Sequence, residues 1–561
     1  MKRMSSPAAA DTLPRSPGAW PSARGVAALY LMLTAAVLLP FFLVDSVPLA
    51  DMANHMARIH ILASIDGDST LAGLYRVNWG LQPNLVMDVL LPPLAGFFRV
   101  EDLARWFAVL TVVALVTGTI VLHRALHGRI GLWPAASLLF VYNHALIWGL
   151  LNYLFGIGLA LWMLAGWIAS ADRPGWRRGA AFAVACLGLY FVHLMALGIY
   201  GGLLGMWELA RAAGAVERRR LPLVWLQGAA QFVPAAALYL ATLPPAAGAS
   251  EFDWGTAGLR LRGIWSPTLT DIGTVDAAVG LFVVAVLLAG LLRGWFRLAP
   301  GTGLPLAVLF VGALVAPTWL FGRLGGVFGV DMRLWVALAF FAVAAARYAG
   351  PASLGPVLAT AALLVLGARV YQIQDHWRIY DAQIREYRAA ALAIAPGSRV
   401  LQVQERSLPI AGAPGYFRGL YFHLSSFSVI DRDAFVPLLF TDPAKQPLAV
   451  APALSEIDTP VGAPMSPGGL RAWADPAVFD WFKGDIEIGD QRIYGYMWQD
   501  RFDYAVVIRH GEEENPVPEA LVPLVSGSFF TIYRIRPGTC IHTYPQTCAA
   551  LRANGRNWAL Q

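Results

Sequence analysis

Charge is scarce in this chain of 561 residues: Asp, Glu, Lys and Arg together make up 14%, against about a quarter in soluble domains. Apolar and aromatic residues make up 57% and the mean hydropathy is +0.54, which excludes a soluble or disordered protein. Repeated runs approach the ~20 apolar residues that cross ~30 Å of hydrocarbon, so a polytopic membrane protein is expected. Lysine is confined to Lys2, Lys445 and Lys483. Only three cysteines occur: Cys186 lies in an apolar run as a small hydrophobe, whereas Cys540 and Cys548 share a polar tail and could pair if that tail is outside the cytosol. No glycine-rich phosphate or dinucleotide loop is present, and no His/Cys/Asp/Glu group has zinc or calcium spacing. The net charge of +6 sits in short clusters between apolar runs, which is topogenic charge and not a nucleic-acid face.

The run Gly25 to Val44 is preceded by Lys2, Arg3, Arg15 and Arg24 and followed by Asp45 and Asp51, which places the amino terminus in the cytoplasm and makes the run a retained signal anchor. The stretch Leu85 to Phe98 is short and carries Asp88 and Pro92-Pro93, so it reads as an interfacial or re-entrant helix on the outer side. Ten further spans are expected at roughly 104–122, 131–148, 151–170, 179–193, 194–210, 222–243, 276–292, 303–321, 333–348 and 353–371, with arginines at the cytoplasmic turns. Eleven spans leave the tail outside.

The expected organisation is a disordered cytoplasmic segment 1–24, a transmembrane domain 25–371 with a functional first external loop 45–103, and a periplasmic α+β domain 372–561. In that tail Arg399 to Gln404, Tyr504 to Arg509 and Phe529 to Arg536 have strand composition, and Asp375 to Ile394 has helical spacing. The expected location is a bacterial inner membrane.

Just beyond the first span, Asp51, Asn54, His55 and Arg58 stand at i, i+3, i+4 and i+7, one face of a helix. Met52, Met56 and Ile59 occupy other positions. Such a helix on the outer leaflet presents an acid, an imidazole and a guanidinium together to whatever arrives from the lipid. The alternative is an ordinary interfacial helix with a solvated polar side and Asp51 at its positive dipole end.

An acid in the first external loop, a short juxtamembrane helix and about ten further spans resemble the GT-C superfamily of integral membrane glycosyltransferases. The segment Asp51-Met52-Ala53-Asn54-His55-Met56-Ala57-Arg58 is similar to the acidic, Asn-His, Ala-Arg signature of bacterial multi-spanning proteins of that type. The segments Phe502 to Ile508 and Ser528 to Arg534 are similar to the way such chains end. The resemblance implies a GT-C-like α-helical membrane fold of about 11 spans, and transfer of a sugar from a polyprenyl-phosphate donor to a glycan, lipid or protein acceptor beside the membrane lipid. The commonest GT-C pattern has two adjacent acids. Here Met52 follows Asp51 and the nearest second carboxylate is Asp45, so the choice of base and the need for a divalent cation stay open.

A carboxylate in that position accepts the acceptor hydroxyl's proton as the oxygen attacks the anomeric carbon, with Asp51 the first choice and Asp45 the second. A guanidinium suits the departing lipid phosphate. Arg58 is one candidate. Arg333, with Asp331 immediately before a span, is another, although that pair also suits anchoring of a helix end. His55 and Asn54 share the face of Asp51, and His193 lies near the outer end of a span. A lipid-linked glycan ligase or polymerase would use the same kind of site. A polytopic transporter of envelope lipid or glycan is the remaining alternative, but the spans hold almost no ionisable residues away from their ends.

Overall fold

In a computed structural model the chain is described over residues 23–539, apart from 172–174, 214–220, 243–250, 322–326, 406–417, 443–444, 460–462, 475–492, 510 and 512–513. The expected disordered segment before residue 23 and the expected Cys540–Cys548 pair lie outside the described residues. The protein is mostly helical with a sheet region near the C-terminus. Among the described residues five helices are long and apolar enough to cross a membrane: Ala23–Phe42, Val100–His127, Leu151–Ala169, Val275–Leu292 and Leu354–Ala391.

The main elements are α1 (Ala23–Phe42), α2 (Met52–Ser64), α3 (Val100–His127), α4 (Leu151–Ala169), α5 (Val275–Leu292), α6 (Val330–Ala345) and α7 (Leu354–Ala391). Helices α3 and α4 approach until backbones nearly touch. A Cβ at Gly118 would stand 2.6 Å from the carbonyl oxygen of Gly158, and one at Gly158 would stand 2.6 Å from the carbonyl carbon of Ala114. Small residues permit that contact, which stands in for the missing hydrophobic drive between apolar helices in lipid.

Several expected spans are not continuous helices. The segment 131–148 is a 3₁₀ helix Trp133–Phe140 followed by a short helix His144–Ile147. Asn143 causes the break: its amide nitrogen donates to the carbonyls of Phe140 and Val141, and its oxygen accepts from the N–H of Leu146 at 3.0 Å, so a side chain replaces the helical ladder. The segment 222–243 is two helices, Leu221–Ala230 and Val233–Thr242, interrupted just before Pro234. The helix within 303–321 stops at Val315, before Pro317, and the chain continues as a strand Trp319–Phe321.

The expected boundary at 371 falls inside α7. No glycine or proline occurs between Gly367 and the end of this helix, so nothing stops it. At about 1.5 Å per residue its 38 residues run about 57 Å, nearly twice a hydrocarbon core. One rod therefore carries the apolar segment into the tail.

The tail sheet holds β1 (Val400–Gln404), β2 (Tyr504–Ile508), β3 (Leu521–Ser526) and β4 (Phe530–Ile535) in the order β3-β4-β2-β1. Strands β1 and β2 run parallel, and the other pairs antiparallel. Three of the four match the strands read from composition.

The tail contacts the first loop and the start of α3. Strand Leu448–Val450 pairs antiparallel with Tyr75–Val77 of the first loop, the Tyr75 hydroxyl donates to the Ala434 carbonyl, and Arg388 of α7 bridges Glu101 at the start of α3 and Asp431. The stretch 85–98 is a short helix Val86–Leu90 and a 3₁₀ turn Pro92–Leu94. It exposes Val89, Leu90, Leu94, Phe97 and Phe98, an apolar ledge on elements that pack against α2.

Candidate functional site

The site begins where the chain leaves α1. The N–H groups of Ala50 and Asp51 donate to the carbonyls of Ile147 and Trp148, at 2.9 and 3.1 Å, which pins the start of α2 to the broken helix. Gly149 makes this approach possible. Its φ is +83°, and a Cβ there would stand 3.0 Å from both the Cβ and the backbone nitrogen of Asp51. His55, one turn into α2, donates from Nε2 to the Gly149 carbonyl at 3.2 Å, so it secures the same turn. Burial, with Arg58 acting in the same direction, holds His55 down at about 3, and the ring is neutral.

Asp51 occupies the N-cap position of α2 but makes no side-chain cap. Its carboxylate is 14% exposed and has His423 Nε2 3.7 Å from Oδ1. Burial pushes its pKa up to about 7, against the attraction of Arg333 and Arg58. An acid poised in the working range of a general base is the outcome.

The other face residues sit differently from a leaflet-bound helix. Asn54, His55 and Arg58 are all buried, because tail residues 423–440 close over them. Asn54 bonds to His423, Leu438 and Ser426. Arg58 is paired bidentately with buried Asp88 from the first loop and lies 5.9 Å from the ring of Phe440. The expectation of a polar face open to the lipid is therefore corrected: that face is an interface with the tail. Arg58 Nη1 is buried without a partner.

Arg333 comes from α6. Its guanidinium lies 5.5 Å from the Tyr153 ring, Nη1 is 3.4 Å from His193 Nε2, and its Nε is buried without a partner. His193 stacks edge-on against Tyr153, so the two expected residues meet around one tyrosine. Asp331 is not with them. It is buried, faces Thr318 Oγ1 at 3.5 Å, and belongs to the packing of the α6 start. Asp45 is not with Asp51 either: its carboxylate is 61% exposed and 3.7 Å from Arg385, while its backbone N–H donates to Asp381.

Sequence reasoning missed His423, Asp88, Phe440 and Lys445. Lys445 pairs with Asp442 at 3.3 Å; burial lowers its pKa, Asp442 offsets this, and the nearby Arg333 adds to the lowering. Two signals were available. Asp88 is a lone acid in an apolar stretch, which demands a cation, and Lys445 is one of only three lysines. A cleft of about 450 Å³ opens between Leu62, Trp79, Val89 and Pro92-Pro93, with Asp88 but not Asp51 in its lining. Among the described residues no group of three or more His, Cys, Asp or Glu is placed to hold a metal ion. The chain matches no family model and no curated protein.

Proposed function

We propose that this protein is a GT-C-like glycosyltransferase of the bacterial inner membrane, with eleven membrane passages and its tail in the periplasm. It would move a sugar from a polyprenyl-phosphate donor to a glycan, lipid or protein acceptor. The observation that carries the reading is Asp51, a carboxylate raised to about 7 beside two guanidiniums. In the step, the acceptor oxygen bonds to the anomeric carbon while the bond from that carbon to the phosphate oxygen breaks. The hydroxyl proton passes to Asp51, and the phosphate leaves with the bonding pair.

Charge balance ranks the phosphate ligands. Asp88 already neutralises Arg58, and Asp442 pairs with Lys445, whereas the carboxylate acting on Arg333 is Asp51 itself. Arg333 is thus the first choice for the leaving phosphate, with Arg58 behind it.

Membranes containing Asp51→Asn protein, given polyprenyl-phosphate sugars as donors, test the reading. Transfer is expected to fall by about 10²-fold or more, the usual contribution of a positioned base. Undiminished transfer eliminates the mechanism.

A further inference from the structure

We propose that His423, supplied by the tail, is a positioning residue that aims an N–H at Asp51 Oδ1 and leaves Oδ2 to take the substrate proton. The inference rests on Asp51 as the base and extends that reading to the proton arrangement around it.

The argument runs through the amide of Asn54. Its nitrogen stands 2.8 Å from the Leu438 carbonyl and 2.9 Å from His423 Nδ1, and its oxygen accepts from Ser426 Oγ at 2.6 Å. A carbonyl has no proton to give, so the end of the amide facing Leu438 is the NH₂. The second hydrogen of that NH₂ is available to His423 Nδ1 at 2.9 Å, and the arrangement that uses it is the neutral ring with its proton on Nε2; a proton on Nδ1 would instead compete with Asn54 for the Leu438 carbonyl, which also acts on the ring. Nε2 is the atom that lies 3.7 Å from Asp51 Oδ1.

Two further observations support this arrangement. Burial holds His423 down at about 4, against the pull of the Leu438 carbonyl, so the ring carries no charge at neutral pH. The ring also packs edge-on against Phe440, with centroids 5.5 Å apart, which limits its rotation. At 3.7 Å the contact is longer than a hydrogen bond and closes when Asp51 ionises. Among the described residues the charged and titratable groups acting on or placed against Asp51 are Arg58 from its own helix, Arg333 from α6 and His423 from the tail. His423 is the neutral donor among them placed against a named carboxylate oxygen.

The test uses the full-length protein in detergent with ¹⁵N-labelled histidine and ¹³C-labelled aspartate carboxyls. The His423 resonances, identified by their loss in His423→Phe, are expected to report a neutral ring protonated at Nε2 at pH 7. A proton on Nδ1, or an imidazolium, overturns the proposal with no variant needing to fold. The Asp51 signal, identified by its loss in Asp51→Asn, is expected to titrate about 0.5–1 pH unit higher in His423→Phe, because the donor that favours the ionised form is gone. His423→Gln keeps an N–H and is expected to recover part of that shift. An unchanged Asp51 midpoint in His423→Phe overturns the proposal. These readouts need no turnover, so they stand apart from the transfer assay: retained transfer in Asp51→Asn defeats the enzymatic reading, whereas the spectra decide the proton arrangement.

Discussion

Replacing Asp51 by Asn is expected to stabilise the fold at the pH where the site works. A carboxyl held at about 7 instead of 3.8 costs roughly 4 kcal/mol to ionise in place, at about 1.4 kcal/mol per pH unit. The sign follows from the protons bound. The folded state holds its proton up to about 7, whereas the unfolded chain releases it near 3.8. Between those values the unfolded state carries fewer protons, so stability falls as pH rises through that window and levels off above 7. Asparagine has no such term. The difference between the two proteins therefore starts near zero below pH 4, widens to pH 7 and then stays flat at an upper limit of about 4 kcal/mol, several degrees in Tm. Asp458, which burial also pushes up to about 7, is present in both proteins and cancels. Thermal unfolding of the wild type and Asp51→Asn in the same detergent, from pH 4 to 8.5, measures the effect. A stability difference that does not change with pH, or a wild type that gains on Asp51→Asn as pH rises, refutes the reasoning.

The buried Arg58–Asp88 pair makes a second prediction. Asp88→Asn strands a guanidinium in the core and is expected to destabilise by about 3–5 kcal/mol, whereas Arg58→Met with Asp88→Leu removes both charges and costs less than the two single changes together; denaturant or thermal unfolding of the three variants checks it. Gly149→Ala places a side chain at positive φ and within 3.0 Å of Asp51, so a loss of about 1–2 kcal/mol is expected together with slower transfer, read by unfolding and by activity in the same preparation.

The face of α2 was legible from spacing, because i, i+3, i+4 and i+7 fix directions around one helix whatever surrounds it. What that face meets was not legible. Asn54 bonds to a ring 369 residues further along the chain, and no local period encodes a partner at that distance. For the same reason the face looked solvated: polar residues on one side of a short helix read as facing water or lipid headgroups unless the protein that covers them is known. The strands of the tail were visible because branched and aromatic residues fit a half-buried pleat. The length of α7 was readable too, since no residue between Gly367 and its last turn stops a helix; its polar half was divided from its apolar half only because composition changes there, and composition is not what ends a helix.

The choice between Asp45 and Asp51 turns on burial. Both follow the same span, six residues apart, and as isolated carboxyls they are equivalent. Asp45 keeps 61% of its side chain in solvent beside an arginine that is 60% exposed. Asp51 is covered by His423 and by the turn at Gly149, and its exposure falls to 14%. The cover comes from the tail and from the helix broken at Asn143, and neither is encoded near residue 51. The acid is made basic by residues distant in sequence, so the tail belongs to the site on physical grounds: with residues 423–440 lifted away, Asp51 would lose the burial that raises it and return toward the ordinary carboxylate range.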